Sequence, residues 1–311
     1  MQTPEFYEEP NHEHNLIIAI CQRVDGVGKT TAAHLASYFD TVTQFMKCQA
    51  QDLLAVTKKN GALLLKSEQA TAIIAQRDDF LPAGVTDVRQ MWITYLIRDF
   101  VKRAIEEIKD TDFDKLLINP FLIKAFNFTD HREVISFCFY QKVTRSIVTS
   151  WGFTVERMVL VSGGIPIKGG FDILIRRKDK DHHLQIKSSP NTMDFDQVQN
   201  LNNNIRKLQE TANKVGMLGV TYGVKDNHLS SIMQGVDGYP KNVLVGHELW
   251  DFVAQEKGYT AKVLEWASAG MPQNTDFSSL LEDKRLSIVS DWEAKYGTGL
   301  ESIEKVLNRY L

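Results

Sequence analysis

The sequence predicts an α/β fold in which a mixed β-sheet core is flanked by helices, with a mainly helical N-terminal region and a helical C-terminus. Three observations carry this. Apolar and polar residues alternate with a period of two in FDILIR (171–176) and HLQIK (183–187), on either side of a polar turn-like run. Two further apolar runs, MLGVTYG and NVLVG, follow a polar segment whose apolar positions Val198, Leu201, Ile205 and Leu208 recur at helical spacing. Residues of about 28–115 and the last fifty or so are dominated by amphipathic helical patterns.

Helices are expected at TTAAHLASYF, TQFMKCQAQDLLAV and SEQATAIIAQ, and a long one at VRQMWITYLIRDFVKRAIEEI, started by Thr86-Asp87. Asn119-Pro120 and Thr129-Asp130 read as helix starts, the second opening HREVISFCFYQKVTRSIVTSW. After the two-stranded hairpin come a polar helix at about 194–214, the strands MLGVTYG and NVLVG separated by GVDGYPKN, the helix HELWDFVA, and helices ending in LESIEKVLNRYL. The expected organisation is an N-terminal region over 1–116, a core over 117–257 and packed C-terminal helices over 258–311.

Composition bounds the function. With 311 residues, 43% hydrophobic and 24% charged, the chain is an ordinary globular one, neither disordered nor collagen-like. No apolar run is long enough to span a bilayer, and the acidic start MQTPEFYEEPNHEH is unlike a signal peptide, so a cytoplasmic protein is expected. Cys21, Cys48 and Cys138 are too few and too scattered for a disulfide framework or a thiolate zinc site.

The hairpin carries the chemistry. Phe171, Ile173 and Ile175 alternate with Asp172, Leu174 and Arg176, and a two-residue loop at Asp179-Lys180 places Asp172 opposite Lys187, with Gln185 one step away on the same face. A carboxylate beside an amide oxygen suits a hard cation such as Mg²⁺, and a nearby ammonium can orient water and offset phosphate charge. Set against this is a solvated surface hairpin, because a D…QxK match is common by chance. His182 and His183 are adjacent, so a strand would point them to opposite faces.

Asp172 followed by Gln185-x-Lys187 resembles the signature of the PD-(D/E)xK nucleases. The wider text (INPFLIKAF, FYQKVTRSIVTSWG, LQIKSSPNTM, GVTYG and VLVGHELWDFV) resembles type II restriction endonucleases of the PfoI/PmeII type, over roughly residues 117–255. The resemblance implies a nuclease core over 117–257, an N-terminal region serving DNA recognition or dimerisation, and Mg²⁺-dependent cleavage of double-stranded DNA at a short palindrome. It further implies a bacterial cytoplasmic setting, a cognate methyltransferase acting on the same site and, since both strands of a palindrome are cut, a homodimer. Two positions depart from the pattern: Phe171 replaces the motif proline, and Gln185 replaces the acid. A neutral amide holds a dication more weakly than a carboxylate, so a second acid is expected, Glu156 first and Glu133 second.

The net charge of −3 argues against DNA only if charge is evenly spread. Lys168, Arg176, Arg177, Lys178, Lys180 and Lys187, with Lys142 and Arg145 on the preceding helix, are expected to form a basic cleft around the site. Arg23, Lys29, Thr30, Arg145, Ser188, Asn191, Asn203 and Arg206 are the candidate DNA contacts, and Arg77, Arg98, Arg103 and Arg145 are unranked base-readers. Two other readings compete. NLIIAICQRVDGVGKTT resembles a nucleotide-kinase P-loop, a strand leading into Gly26, Gly28, Lys29 and Thr30, although Arg23 stands where its first glycine belongs. The plainer alternative there is a turn into a helix near Lys29. Loss of the acid at 185 is also compatible with a catalytically decayed DNA-binding module.

Overall fold

The computed structural model describes residues 11–58, 60–211, 213–271 and 276–310, so the first ten residues of the acidic opening and the final Leu311 lie outside the described residues. The chain packs as two compact units that interleave along the sequence. One comprises 1–98 and 154–270, the other 99–153 and 271–311.

In the first unit, α1 (His12–Cys21) occupies the segment that a P-loop would require to be a strand. The Asn11 side chain accepts from the His14 N–H, and Leu16, Ile17, Ile20 and Cys21 form one buried stripe at helical spacing. The phosphotransferase reading is therefore overturned. Gly26, at φ +76°, turns the chain, and α2 (Lys29–Ala36) begins where the plainer alternative puts a helix. The single helix expected over 43–56 is two, α3 (Val42–Lys47) and α4 (Ala50–Leu54), because Cys48 and Gln49 are extended. Arg77, on α5 (Ser67–Phe80), is buried and donates to the carbonyls of Phe45 and Cys48, closing the end of α3. That role removes Arg77 from the base-reading candidates. The Asp87 carboxylate accepts from the Arg89 N–H and starts α6 (Val88–Asp110).

The second unit takes up the chain within α6. Asn119 caps α7 (Pro120–Ala125), with Pro120 in the first turn, as the sequence predicts. Its core gathers Val134, Cys138 and Phe139 of α8 (His131–Val161) with Ile288 and Trp292 from further along the chain. Buried His131 stacks on Trp292, accepts from the Gly299 N–H at 3.1 Å and reaches Glu293 at 2.9 Å. Trp292→Ala is expected to destabilise the protein by about 3–5 kcal/mol, read from denaturant unfolding; a loss below about 1 kcal/mol contradicts this packing.

The sheet lies in the first unit, with order β1-β2-β3-β4-β5: β1 (Ile165–Pro166), β2 (Ile173–Arg176), β3 (Asp181–Lys187), β4 (Lys214–Val220) and β5 (Val243–Val245). The first three strands are antiparallel neighbours, and β3-β4-β5 are parallel. A parallel step needs a crossover, supplied between β3 and β4 by α9 (Phe195–Gln209), whose Val198, Leu201 and Ile205 pack with Leu218, Val220 and Val243. The short α10 (Lys225–His228) and α11 (His247–Ala254) bracket β5. α12 (Tyr259–Ala269) completes this unit, and α13 (Phe277–Tyr296) and α14 (Gly299–Leu307) belong to the other. Gly246, at φ +59°, brings the start of α11 against the Gly223 carbonyl, where a Cβ would come within 2.9 Å.

The hairpin forms, with a corrected register. Ile173 pairs with Leu184, Arg176 with Asp181, and the Arg177 N–H donates to Lys180, so the loop is Lys178-Asp179 rather than Asp179-Lys180. Asp172 consequently stands against Gln185, not Lys187. The correction slides each partner by two residues, which keeps every side chain on its face; apolar alternation cannot distinguish the two registers. Phe171 also departs from the Ile173 side. After Gly169 and Gly170, both at positive φ, it turns into the cluster under α9.

Candidate active site

Asp172 sits where β2 begins, beside the carboxyl end of antiparallel β3. Its N–H donates to the Leu184 carbonyl at 2.9 Å, and its Oδ2 accepts from the Ile186 N–H at 2.6 Å. The side chain thus takes over a place in the β2–β3 ladder, which holds the carboxylate against β3 and points to a fixed orientation. Gln185 and Lys187 lie two apart on β3 and so share a face. The Gln185 Oε1 is buried without a hydrogen-bond partner in the protein. Such an oxygen is an unfilled acceptor, and it lies across from Asp172. Lys187 is half-buried, and its carbonyl accepts from the Thr221 N–H at 3.0 Å, tying the end of β3 to β4.

Glu156 comes from the last turns of α8, flanked by buried Val155, Met158 and Val159. It is half-buried, and its carboxyl is pushed above the usual range by burial and by the Asp172 charge, with Lys187 pulling the other way. Asp172 is itself raised, by burial first, against the Ile186 N–H and Lys187. A carboxyl raised by the Asp172 charge, the Asp172 carboxylate itself, an orphan amide oxygen and one lysine therefore meet at one end of the sheet. All the oxygens are hard donors, and the set fits a divalent cation. Among the described residues no group of three or more His, Cys, Asp and Glu could hold a metal, so such an ion depends on the Gln185 oxygen as well. Glu133 lies in the first turn of α8, in the other unit.

Other expectations fare differently. Apart from Lys187, the hairpin's basic residues do not crowd this end: β3 runs from Asp181 to Lys187, and at about 3.3 Å per residue its ends are about 20 Å apart. Arg176, Arg177, Lys178 and Lys180 lie at the far end, where Arg177 stacks on Phe252 at 4.1 Å and donates to its carbonyl. His182 packs edge-on to Phe252 and His183 to Phe171, and burial lowers both imidazoles. Arg23 stacks on Phe80 at 3.9 Å and donates to Gln76, while Lys29 and Thr30 are exposed in the first turn of α2. Asn191, Asn203 and Arg145 are exposed. Ser188, just beyond Lys187, accepts at its carbonyl from the Thr221 hydroxyl. Arg206 is held by a two-pronged ion pair with Asp237 at 2.7 and 3.2 Å. Arg98 and Arg103 donate to the carbonyls of Asp79 and Asp99. The three cysteines are free and buried; burial pushes Cys21 to about 12 and Cys138 to about 11, so neither is a reactive thiolate.

Sequence reasoning missed Thr221 and Trp250. The Trp250 indole donates to the Thr221 carbonyl at 2.9 Å while the Thr221 hydroxyl bonds Ser188, so together they brace the exits of β3 and β4. GVTYG and HELWDFV were visible as segments, but nothing in either predicts that they meet.

The sheet end that carries these groups falls inside a family match. Residues 86–269, more than half of the chain, match the family described as Type II restriction endonuclease EcoO109I. The chain belongs to the EcoO109I family of type II restriction endonucleases. It is accordingly an enzyme, a site-specific deoxyribonuclease, and the matched region contains every strand of the sheet together with Glu156, Asp172, Gln185 and Lys187. No curated protein matches the chain. The family supports DNA as the partner of this restriction endonuclease. Among the described residues no helix is long and apolar enough to cross a membrane.

Proposed function

We infer that this restriction endonuclease hydrolyses phosphodiester bonds of double-stranded DNA at a short palindrome with Mg²⁺, using a PD-(D/E)xK-type core. What supports the reading is the orphan Gln185 oxygen opposite Asp172, with Glu156 and Lys187 electrostatically coupled to that carboxylate. Asp172 is the principal ligand, and Gln185 and Glu156 complete the set. When bound, Mg²⁺ supplies charge stabilisation of the phosphoryl oxygens and favours water as the nucleophile.

The chain's own residues do the rest. Asp172, held by the Ile186 N–H, sets where the scissile phosphate sits relative to β3. Lys187 donates from Nζ to a phosphate oxygen and to the attacking water, opposing the negative charge that grows as the P–O bond to the leaving oxygen breaks. The partly buried surroundings strengthen that interaction. Arg23, Lys29, Thr30, Arg145, Ser188, Asn191, Asn203 and Arg206 are the proposed DNA contacts, with Arg206 acting through its bond to Asp237. A two-fold palindrome calls for a homodimer, and a methyltransferase of the same specificity protects host DNA.

Incubation of the protein with phage DNA and Mg²⁺ should give discrete bands; smearing, or binding without cleavage in Mg²⁺ or Mn²⁺, contradicts the reading. Gln185→Glu adds a charge to the ligand set and is expected to lower the Mg²⁺ concentration for half-maximal cleavage by roughly tenfold. An unchanged metal dependence means that the amide is not a ligand.

A further inference from the structure

We propose that the outer stripe of α9 reads base edges in the DNA major groove, with Gln199 and Asn203 as the specificity-determining side chains. This rests on the endonuclease reading above and names how that site selects its target. Phe195, Gln199 and Asn203 recur every four residues, so they form one line along the helix, and all three are exposed. Phe195 leaves 63% of its surface open at the start of this line. Neither amide has a hydrogen-bond partner among the described residues. The opposite face of α9 is committed to the sheet through Val198, Leu201 and Ile205, so the line cannot be a core face.

The line borders a groove of about 630 Å³ whose other wall is the segment around Ser231, Ile232 and Gly235. That wall is pinned to α9. Asn202 donates to the Gly235 carbonyl at 2.9 Å and accepts from the Asp237 N–H at 2.8 Å, and Arg206 grips the Asp237 carboxylate. Arg206 therefore positions the wall. The groove is built before any partner arrives, which is what a specificity element needs.

Its chemistry favours a base edge. A side-chain amide offers a donor and an acceptor side by side, the pattern that pairs with the N6 and N7 of adenine, and an aromatic ring packs on a thymine methyl. Two positions four apart on a helix are separated by about 6 Å, close to two base steps of about 3.4 Å. The groove's outer wall also starts close in the chain's hydrogen bonding to the candidate site. Pro190, three residues past Lys187, accepts at its carbonyl from the Ser230 N–H at 3.2 Å, so the wall segment begins beside the exit of β3. The bases that neighbour a phosphate at Lys187 are therefore proposed to lie against α9.

The experiment compares cleavage of the target with every single-base substitution of it, for the wild-type full-length protein, Gln199→Leu and Asn203→Leu. Both positions are exposed, so the variants keep the fold, which circular dichroism checks. Each variant is expected to lose discrimination by roughly tenfold or more at one base pair, the two affected pairs lying within about two steps of each other. Unchanged discrimination at every position in both variants overturns the proposal while the endonuclease reading stands. Uniformly slower cleavage with unchanged discrimination also overturns it, assigning α9 to the phosphate backbone. A wild-type protein that does not cleave site-specifically removes both.

Discussion

Asp172→Ala and Lys187→Ala are each expected to eliminate cleavage while leaving specific DNA binding largely intact. For Lys187 the fall is about 10²–10³-fold, the range for loss of one charge-stabilising donor in a transition state. For Asp172 it is about 10³-fold or more, since several kcal/mol of charge stabilisation depend on the ion it anchors. Lys187 makes no ion pair with another side chain among the described residues, so its removal breaks no salt bridge. Asp172 is different. It accepts the Ile186 N–H, and alanine leaves that donor without its partner. Asp172→Asn is the cleaner variant, because an amide oxygen keeps the acceptor while removing the charge. Single-turnover cleavage with saturating enzyme, alongside DNA binding in Ca²⁺, measures both effects. Cleavage within threefold of wild type in either alanine variant contradicts the site assignment.

A second large effect is on stability, and it runs against activity. Glu156 and Asp172 both have carboxyls raised by burial, and Glu156 is raised further by the Asp172 charge. A raised carboxyl holds its proton more tightly in the folded chain than in the unfolded one. The contribution of these two groups to stability is therefore greatest below the ordinary carboxylate range and is lost as pH climbs through the raised values. Glu156→Gln and Asp172→Asn remove that fall. In EDTA at neutral pH each should melt above the parent, by about 2–4 °C for each kcal/mol of repulsion relieved, and the curves should converge as pH is lowered. Mg²⁺ should raise the parent's melting temperature more than either variant's, because the ion neutralises the pair that the substitutions have already relieved. Variants melting at or below the parent in EDTA at neutral pH contradict the reading of Glu156 and Asp172 as a strained pair. Cleavage nonetheless falls in both variants, the pattern expected of residues kept for function.

Much of the fold is legible because local rules and packing agree. HELWDFVA is the helix His247–Ala254, Asn119-Pro120 caps α7, and the apolar spacing in 198–208 marks the face of α9 that meets the sheet. Asp172, Gln185 and Lys187 are also legible, as a period-two pattern beside a turn. The failures have physical causes. NLIIAI is apolar enough for a strand or a buried helix, and only the Asn11 cap and the depth of its burial decide for the helix. The hairpin register moved by two because Lys178, Asp179 and Lys180 are all acceptable turn residues and both registers keep the same faces. Four residues of the expected basic cleft, Arg176, Arg177, Lys178 and Lys180, lie away from Asp172 because the chain runs from it along β2 to the turn. Long-range contacts such as Trp250 with Thr221, and Asp237 with Asn202 and Arg206, leave no local signal at all.

The central claim is that Asp172, Gln185, Lys187 and Glu156 form one cation-dependent centre. A crystal structure of the protein with its target DNA and Ca²⁺, which occupies oxygen sites while cleavage is blocked, tests it directly. The expected result is an ion within about 2.3–2.6 Å of the Asp172 carboxylate and the Gln185 Oε1, next to the scissile phosphate, with Lys187 Nζ on a phosphate oxygen. A scissile phosphate seated away from the Asp172 end of the sheet, or an ion held by other side chains, contradicts it.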